Sequence, residues 1–243
     1  VEISAGAMYS LARGRDGSVW AWGAGGYGQI GDGEYLDRPT PVRLNGLAGV
    51  AQLAAGFLHS AAVTQDGGLW VWGHNDNGQL GDGTTLTRTT PITVAGLAGL
   101  SSVAIGAYHT VAMKRDGTVI AWGDNSQGQL GNAVFTFRAA PQAVPGLSGV
   151  VAVSAGYLHS LALTGDGRVL GWGSNANNQL EDDSVGRSAP APLPGLTNAT
   201  QISAGYYHSL VRLADGTVRA FGSNYRGRLG AGDALDIGSH VPG

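Results

Sequence analysis

Apolar and polar positions alternate along this chain in short runs, and the runs come in sets. Val151 to Ala155 alternates, His159 to Thr164 (HSLALT) alternates again, and Arg168 to Trp172 (RVLGW) follows the turn Gly165-Asp166-Gly167. A period of two sends successive side chains to opposite faces of a strand. Asp-Gly between two such runs is a strong hairpin signal, because glycine accepts the positive φ that tight hairpin turns require. The same signal stands at Asp16-Gly17, Asp66-Gly67, Asp116-Gly117 and Asp215-Gly216. A fourth, weaker strand is expected from Pro41, Pro91, Pro141 and Pro190, since a residue without an N–H belongs at a strand start or an edge. No segment carries a helical period over eleven residues, and glycines interrupt every candidate.

These sets are copies of one unit. Gly6, Gly56, Gly106 and Gly156 recur at a spacing of fifty, and the fifth copy, Gly205, comes one residue early. Trp22-Gly23, Trp72-Gly73, Trp122-Gly123 and Trp172-Gly173 keep the same register, with Phe221-Gly222 as the fifth. One deletion between Glu181 and Pro190 accounts for the shift. The units are 1–50, 51–100, 101–150, 151–199 and 200–243 of a single domain. One small sheet cannot bury both faces alone. Sheets stacked around an axis can, so the arrangement predicts an all-β propeller of four-stranded antiparallel blades. A parallel β-helix fits less well, because its coils are shorter and lack a regular Asp-Gly hairpin.

Composition narrows the picture further. The 243 residues include 42 glycines, only 13% charged residues and no cysteine, which removes disulfides and thiolate metal sites and leaves the compartment open. A net charge of -3 argues against a nucleic-acid binder that relies on global positive potential. The sequence contains neither an apolar run of 18 residues nor a signal-like start, so no membrane association is expected. It begins at Val1, which suggests a mature form or an excised piece. Thirteen arginines against the single Lys114, with abundant alanine and glycine, suggest a bacterial protein from a GC-rich genome.

The stretch Trp72-Gly73-His74-Asn75-Asp76-Asn77-Gly78-Gln79-Leu80-Gly81-Asp82-Gly83, echoed from Trp122 to Gly131, resembles the repeat of the RCC1 (regulator of chromosome condensation) family. The phrase Gly-x-x-His-Ser/Thr at Gly56, Gly106, Gly156 and Gly205 resembles its partner motif. The resemblance covers essentially the whole chain and implies a seven-bladed ring. Five units are present here, which leaves three expectations: a closed five-bladed ring, an open array, or part of a seven-bladed ring. An incomplete ring exposes an apolar blade face and favours self-association through the blade ends. The family includes an exchange factor for a small GTPase that also docks on nucleosomes, ubiquitin-ligase adaptors, ultraviolet photoreceptors and bacterial enzyme inhibitors.

The repeated residues read as structure. His59, His109, His159 and His208 share one repeat position, so each lies in its own blade, and convergence on one metal ion would need all of them at the ring centre. Each ring is expected to bond backbone in a neighbouring hairpin or loop, and Tyr9 at the same position in unit one fits a packing role. Trp22, Trp72, Trp122, Trp172 and Phe221 are expected between blades, with Trp20 and Trp70 on the same face as Trp22 and Trp72. Tryptophans in structural register do not make a photoreceptor. The Asp-Gly aspartates read as turn residues, and Gln29, Gln79, Gln129 and Gln179 as ties within their loops. Ser60, Ser160 and Ser209 neighbour histidines along a strand and so point to the opposite face. No catalytic set, metal site or cofactor site is expected.

Function should therefore lie where the copies differ. The variable loop residues are Tyr27, Tyr35 and Arg38; His74 and Asp76; Phe135, Phe137 and Arg138; and Tyr225, Arg226 and Arg228. Aromatic and arginine side chains on a rigid rim are common anchors of protein interfaces. The expectation is a scaffold that binds a protein partner through these loops. A self-assembling or structural repeat segment is the alternative, and a regulator resembling a guanine-nucleotide exchange factor a lesser one. Glu181 breaks the Gly-x-Gly segment that follows Gln-Leu elsewhere, so the fourth loop is expected to differ in shape.

Overall fold

A computed structural model describes residues 1–182 and 185–232. Each repeat folds into one antiparallel sheet whose strands follow chain order. In the second blade these are Val50–Ala55, His59–Thr64, Leu69–Gly73 and Arg88–Thr93, from the axis outward. Four blades have four strands, and the fifth shows Ala199–Ala204, His208–Leu213 and Val218–Gly222 among the described residues. The expected outer strand near Pro242 lies outside them.

The Asp-Gly hairpins form where the pattern placed them, with Gly67 at φ +87° and Gly117 at φ +80°. The Trp-Gly pairs have a separate steric cause. Gly73 sits at φ +101°, and a Cβ there would lie 2.6 Å from the Leu58 carbonyl oxygen. The third strand can approach the inner turn only through glycine.

The outer strands begin earlier than their prolines suggest. They run Arg38–Leu44, Arg88–Thr93, Arg138–Ala143 and Gly186–Pro192. Gly23 pairs with Arg38 and Ala21 with Val42, and the register slips between them. The prolines thus fall within irregular edge strands, where a missing N–H costs no ladder bond.

Four hydrophobic cores hold the five blades together, one between each consecutive pair. Leu69, Val71 and Leu80 of blade two, for example, pack against Val103, Ile120 and Trp122 of blade three. Among the described residues no fifth core joins blade five to blade one, so the array is open. Trp72, Trp122 and Trp172 are fully buried against the preceding blade, and Phe221 nearly so. Trp22, whose face meets no earlier blade, is only half-buried, and Trp20 beside it is 37% exposed.

Candidate functional site: an aromatic mouth

The inner turn of every blade, Gly-x-x-His, carries two kinds of residue with different fates. The histidine goes inward and the two residues before it go to the axis. His59, His109 and His159 are fully buried. Their Nε2 atoms reach side-chain hydroxyls of the next blade rather than the expected backbone: Thr110 at 2.9 Å, Ser160 at 2.9 Å and Ser209 at 3.0 Å. Each hydroxyl donates in turn to a loop carbonyl, Gln79, Gln129 or Gln179, at 2.8–2.9 Å. With its one proton spent there, the hydroxyl can only accept from the imidazole. The histidines are therefore neutral Nε2–H tautomers. Burial pushes His59 and His159 down to about 3 and His109 to about 4.

These inter-blade Ser–His pairs have the spacing of a catalytic dyad without its chemistry. The hydroxyl proton points away from the imidazole, and both groups are sealed from solvent. Tyr9 performs the same linking task in blade one. Its hydroxyl donates to the His59 carbonyl at 2.6 Å and accepts from Gly56 N at 3.1 Å.

The residues between glycine and histidine differ from unit to unit: Ala7-Met8, Phe57-Leu58, Ala107-Tyr108, Tyr157-Leu158 and Tyr206-Tyr207. Their aromatic rings gather at one mouth of the axis. Phe57 meets Tyr108, Tyr157 and Tyr206 edge-on at centroid distances of 6.1, 6.0 and 5.8 Å. Tyr157 and Tyr206 stack at 4.1 Å, and Tyr207 stands edge-on to both. Burial, and then the neighbouring Tyr157, push the Tyr108 phenol up to about 12 and raise Tyr206 as well. Both stay neutral near pH 7. Phe57, Tyr157 and Tyr206 border a cavity of about 200 Å³ whose wall is otherwise alanine, glycine and Ile105.

The variable rim loops lie at the same end of the blades, tied to the inner turns by His74 N donating to Leu58 O (3.0 Å) and Asp124 N to Tyr108 O (2.8 Å). Two of the sequence-predicted residues join the mouth. Tyr27 stands edge-on to His74 at 5.2 Å, and His74 lies 6.4 Å from Tyr108. Gln79 Nε2 lies 2.8 Å from His74 Nδ1, which turns the other ring nitrogen toward Asp76 at 3.2 Å. Tyr35, Phe135 and Phe137 are exposed on the outer part of this end. Arg138 donates to Thr136 Oγ1 at 2.9 Å, whereas Arg38 is held by Asp32 in an ion pair within its loop. Tyr225 carries the guanidinium groups of Arg226 and Arg228 at 5.3 and 5.5 Å from its ring centroid.

The loop glutamines tie their own backbone, as in Gln79 Oε1 accepting from Asn77 N at 2.9 Å. The fourth loop keeps more of the common shape than expected. Glu181 adopts φ +54° where its equivalents Gly31, Gly81 and Gly131 are also left-handed. In the first three units a Cβ at this point would strike a tryptophan; at Gly81 it would lie 2.5 Å from Trp122 Nε1. Blade five has the shorter Phe221 there, and Glu181 pairs with its neighbour Arg219 at 2.8 Å. Asp183, in the same loop, lies outside the described residues.

The aromatic set Phe57, Tyr108, Tyr157, Tyr206 and Tyr207 was not singled out by sequence reasoning. Its signal was there: two unconstrained positions inside an otherwise constant phrase, filled with aromatics in four of the five copies. Among the described residues no group of three or more His, Asp or Glu could hold a metal ion, and no helix is long and apolar enough to cross a membrane.

Known proteins share this architecture. Human WBSCR16 superposes with a TM-score of 0.88 at 25% identity, over 100% of this chain and 66% of its own. Yeast RCC1 (Prp20), solved with Kap60 bound, gives 0.84 at 21% identity, over 99% of this chain and 60% of its own. Prp20p from Saccharomyces cerevisiae, in a study of its binding to Gsp1p and histones, gives 0.83 at 22% identity, over 100% and 62%. The chain thus spans about three-fifths to two-thirds of these proteins. Matches to human and yeast proteins lend no support to the bacterial origin suggested by residue usage. The family model described as RCC1-like domain matches residues 1–242, and the chain belongs to the RCC1-like domain family.

Proposed function

We propose that this chain is a protein-binding scaffold whose partner docks on the aromatic mouth and the adjoining rim loops. The observation that carries this reading is the unbroken run of ring contacts from Tyr27 through His74 and Tyr108 to Phe57, Tyr157 and Tyr206. Rigid aromatic rings supply large contact area at little conformational cost, and clusters of them dominate the energetics of protein interfaces. The cavity suits one anchoring side chain. At about 200 Å³ it falls below the roughly 300–1,000 Å³ usual for small-molecule sites.

The partners named for the yeast relative, Kap60, Gsp1p and histones, are proteins, which supports the class of ligand. A narrower role as regulator of a small GTPase rests on shared fold alone at 21–22% identity, and a fold does not assign a function.

Photo-cross-linking tests the location. A benzophenone side chain placed at Tyr27 or Tyr206 is expected to capture one common polypeptide from the source cells. Placed at Asp116, on the hairpin end, it captures none of it. Capture of that polypeptide from position 116 but not from 27 or 206 would move the docking site to the other end.

A further inference from the structure

One rim loop lacks an internal ion pair that its counterparts keep. The outer strands of the first four blades each carry an arginine at or next to their start: Arg38, Arg88, Arg138 and Arg187. Arg38, Arg88 and Arg187 pair with Asp32, Asp82 and Asp182 of their own loops. In blade two the aspartate divides its two oxygens between two tasks. Asp82 Oδ1 accepts from Asn75 Nδ2 at 3.2 Å and Thr84 N at 3.0 Å, which shapes the loop. Oδ2 accepts from Arg88 Nε at 3.1 Å and Nη2 at 2.8 Å.

Blade three carries Asn132 at this position. Its Oδ1 keeps the shaping task and accepts from Asn125 Nδ2 at 3.0 Å. In place of the second oxygen asparagine has an NH2 group, which only donates, as a guanidinium does. The pair therefore cannot form. Arg138 uses Nη1 alone, on Thr136 Oγ1 at 2.9 Å and the Phe137 carbonyl at 3.2 Å. Among the described residues its Nε and Nη2 have no partner. That is the edge with which Arg88 holds its aspartate.

The same loop has apolar side chains where blade two has polar ones. Val134 stands at the position of Thr84 and Phe137 at that of Thr87. Phe135 is 62% exposed and Phe137 51%. The loop is anchored: Ala133 N donates to Ser188 O of blade four at 2.8 Å, and Ala133 holds φ +63° where blades one and two have glycine. Blade three has a blade on each side.

We propose that this loop docks an acidic, apolar segment of a protein partner. An Asp or Glu carboxylate meets the Nε–Nη2 edge of Arg138, and a neighbouring aromatic or large aliphatic side chain packs on Phe135 and Phe137. The charge complementarity follows from the repeat itself, because the partner provides the carboxylate that blades one, two and four provide internally. Arginine binds carboxylates through that edge in a fixed fork, and arginine with aromatic neighbours is a frequent interface anchor. The inference rests on the reading of the chain as a protein-binding scaffold and gives one part of its surface a ligand chemistry. It does not require the mouth to be occupied.

Asn132→Asp is the discriminating variant. It restores the aspartate of the sister loops, so the urea midpoint should hold or rise while Arg138 becomes occupied from within. Phe135, Phe137 and Arg138 all stay in place. Random peptides displayed on phage are selected on the unaltered chain, with soluble Asn132→Asp protein present as competitor. The enriched peptides are expected to share an Asp or Glu beside an aromatic or large aliphatic residue. By fluorescence anisotropy, a synthetic copy should bind Asn132→Asp roughly tenfold or more weakly, the effect of losing a charge-assisted hydrogen bond. Replacing the peptide's carboxylates by amides should weaken binding to the unaltered chain to the same degree. Phe135→Ser/Phe137→Ser should weaken it about fivefold or more. Tyr157→Ala/Tyr206→Ala should leave it unchanged. No enrichment against the competitor, or enriched peptides without an excess of Asp and Glu, would overturn the proposal. If selection without the competitor then yields peptides whose binding is lost in Tyr157→Ala/Tyr206→Ala, the mouth stands and the loop assignment alone fails.

Discussion

The two ends of the blades are built from the same repeat and have come out differently. At the hairpin end every unit closes its turn with the same aspartate. Asp16, Asp116 and Asp215 accept from the backbone N–H two residues on at 2.9–3.1 Å, and Asp66 and Asp166 bond the hydroxyls of Thr64 and Thr164. These bonds hold all five carboxyls below the usual range. At the inner-turn end the histidine recurs in four units, with Tyr9 in the first, but the two residues before it vary and gather into an aromatic mouth. Identical positions are committed to folding, and the positions the fold leaves unconstrained carry the surface chemistry.

The sharpest way to break this division is at the core. Trp122→Ala removes a fully buried ring and its bond to Gln79, and should cost about 3–5 kcal/mol in urea unfolding. Trp22→Ala, at the uncovered end, should cost less than half as much. Equal losses would show that position in the repeat, rather than burial, sets the energy. Gly81→Ala places a Cβ against Trp122 at φ +73°, and a loss of about 1–3 kcal/mol is expected. The same change at Gly230, where there is space but φ is +74°, isolates the backbone strain and should cost less.

Protonation probes the histidines as a set. Their folded-state values lie at about 3 to 4, below the ordinary 6.5 that the unfolded chain retains. The unfolded state therefore takes up protons first, and stability falls as pH drops from about 6.5 toward 4. His109→Gln keeps a donor for Ser160 and removes one titrating group. The slope of stability against pH in that window should flatten by one histidine's share, measured by denaturant unfolding at several pH values. The smallest effect is expected at the hairpin turns: Asp116→Asn should change stability by no more than about 0.5 kcal/mol.

Much of this organisation was legible in the chain. Alternation and Asp-Gly turns located the three inner strands of each blade, and the fifty-residue register placed Trp72, Trp122 and Trp172 between blades. The outer strands were harder, because an edge strand with a register slip shows no clean period, and Arg38 or Arg88 gives no hint that pairing starts there. The histidine partners were hidden for another reason. Thr110 and Ser160 lie about one repeat away from the rings they meet, so only the stacking of blades brings them together. The aromatic mouth escaped notice because each unit contributes only one or two rings, and no local stretch looks like a binding motif. Tyr27 and His74 stood out as candidates because loops that differ are conspicuous against a constant frame.

The most direct test is the affinity of the polypeptide captured from position 206, measured by calorimetry for the unaltered chain and for the double variant Tyr157→Ala/Tyr206→Ala. Both rings stand at the mouth outside the four blade cores, so the thermal midpoint should hold within a few degrees while affinity falls on the order of 10- to 100-fold. Unchanged affinity with an unchanged midpoint would contradict the assignment of the mouth as the docking surface.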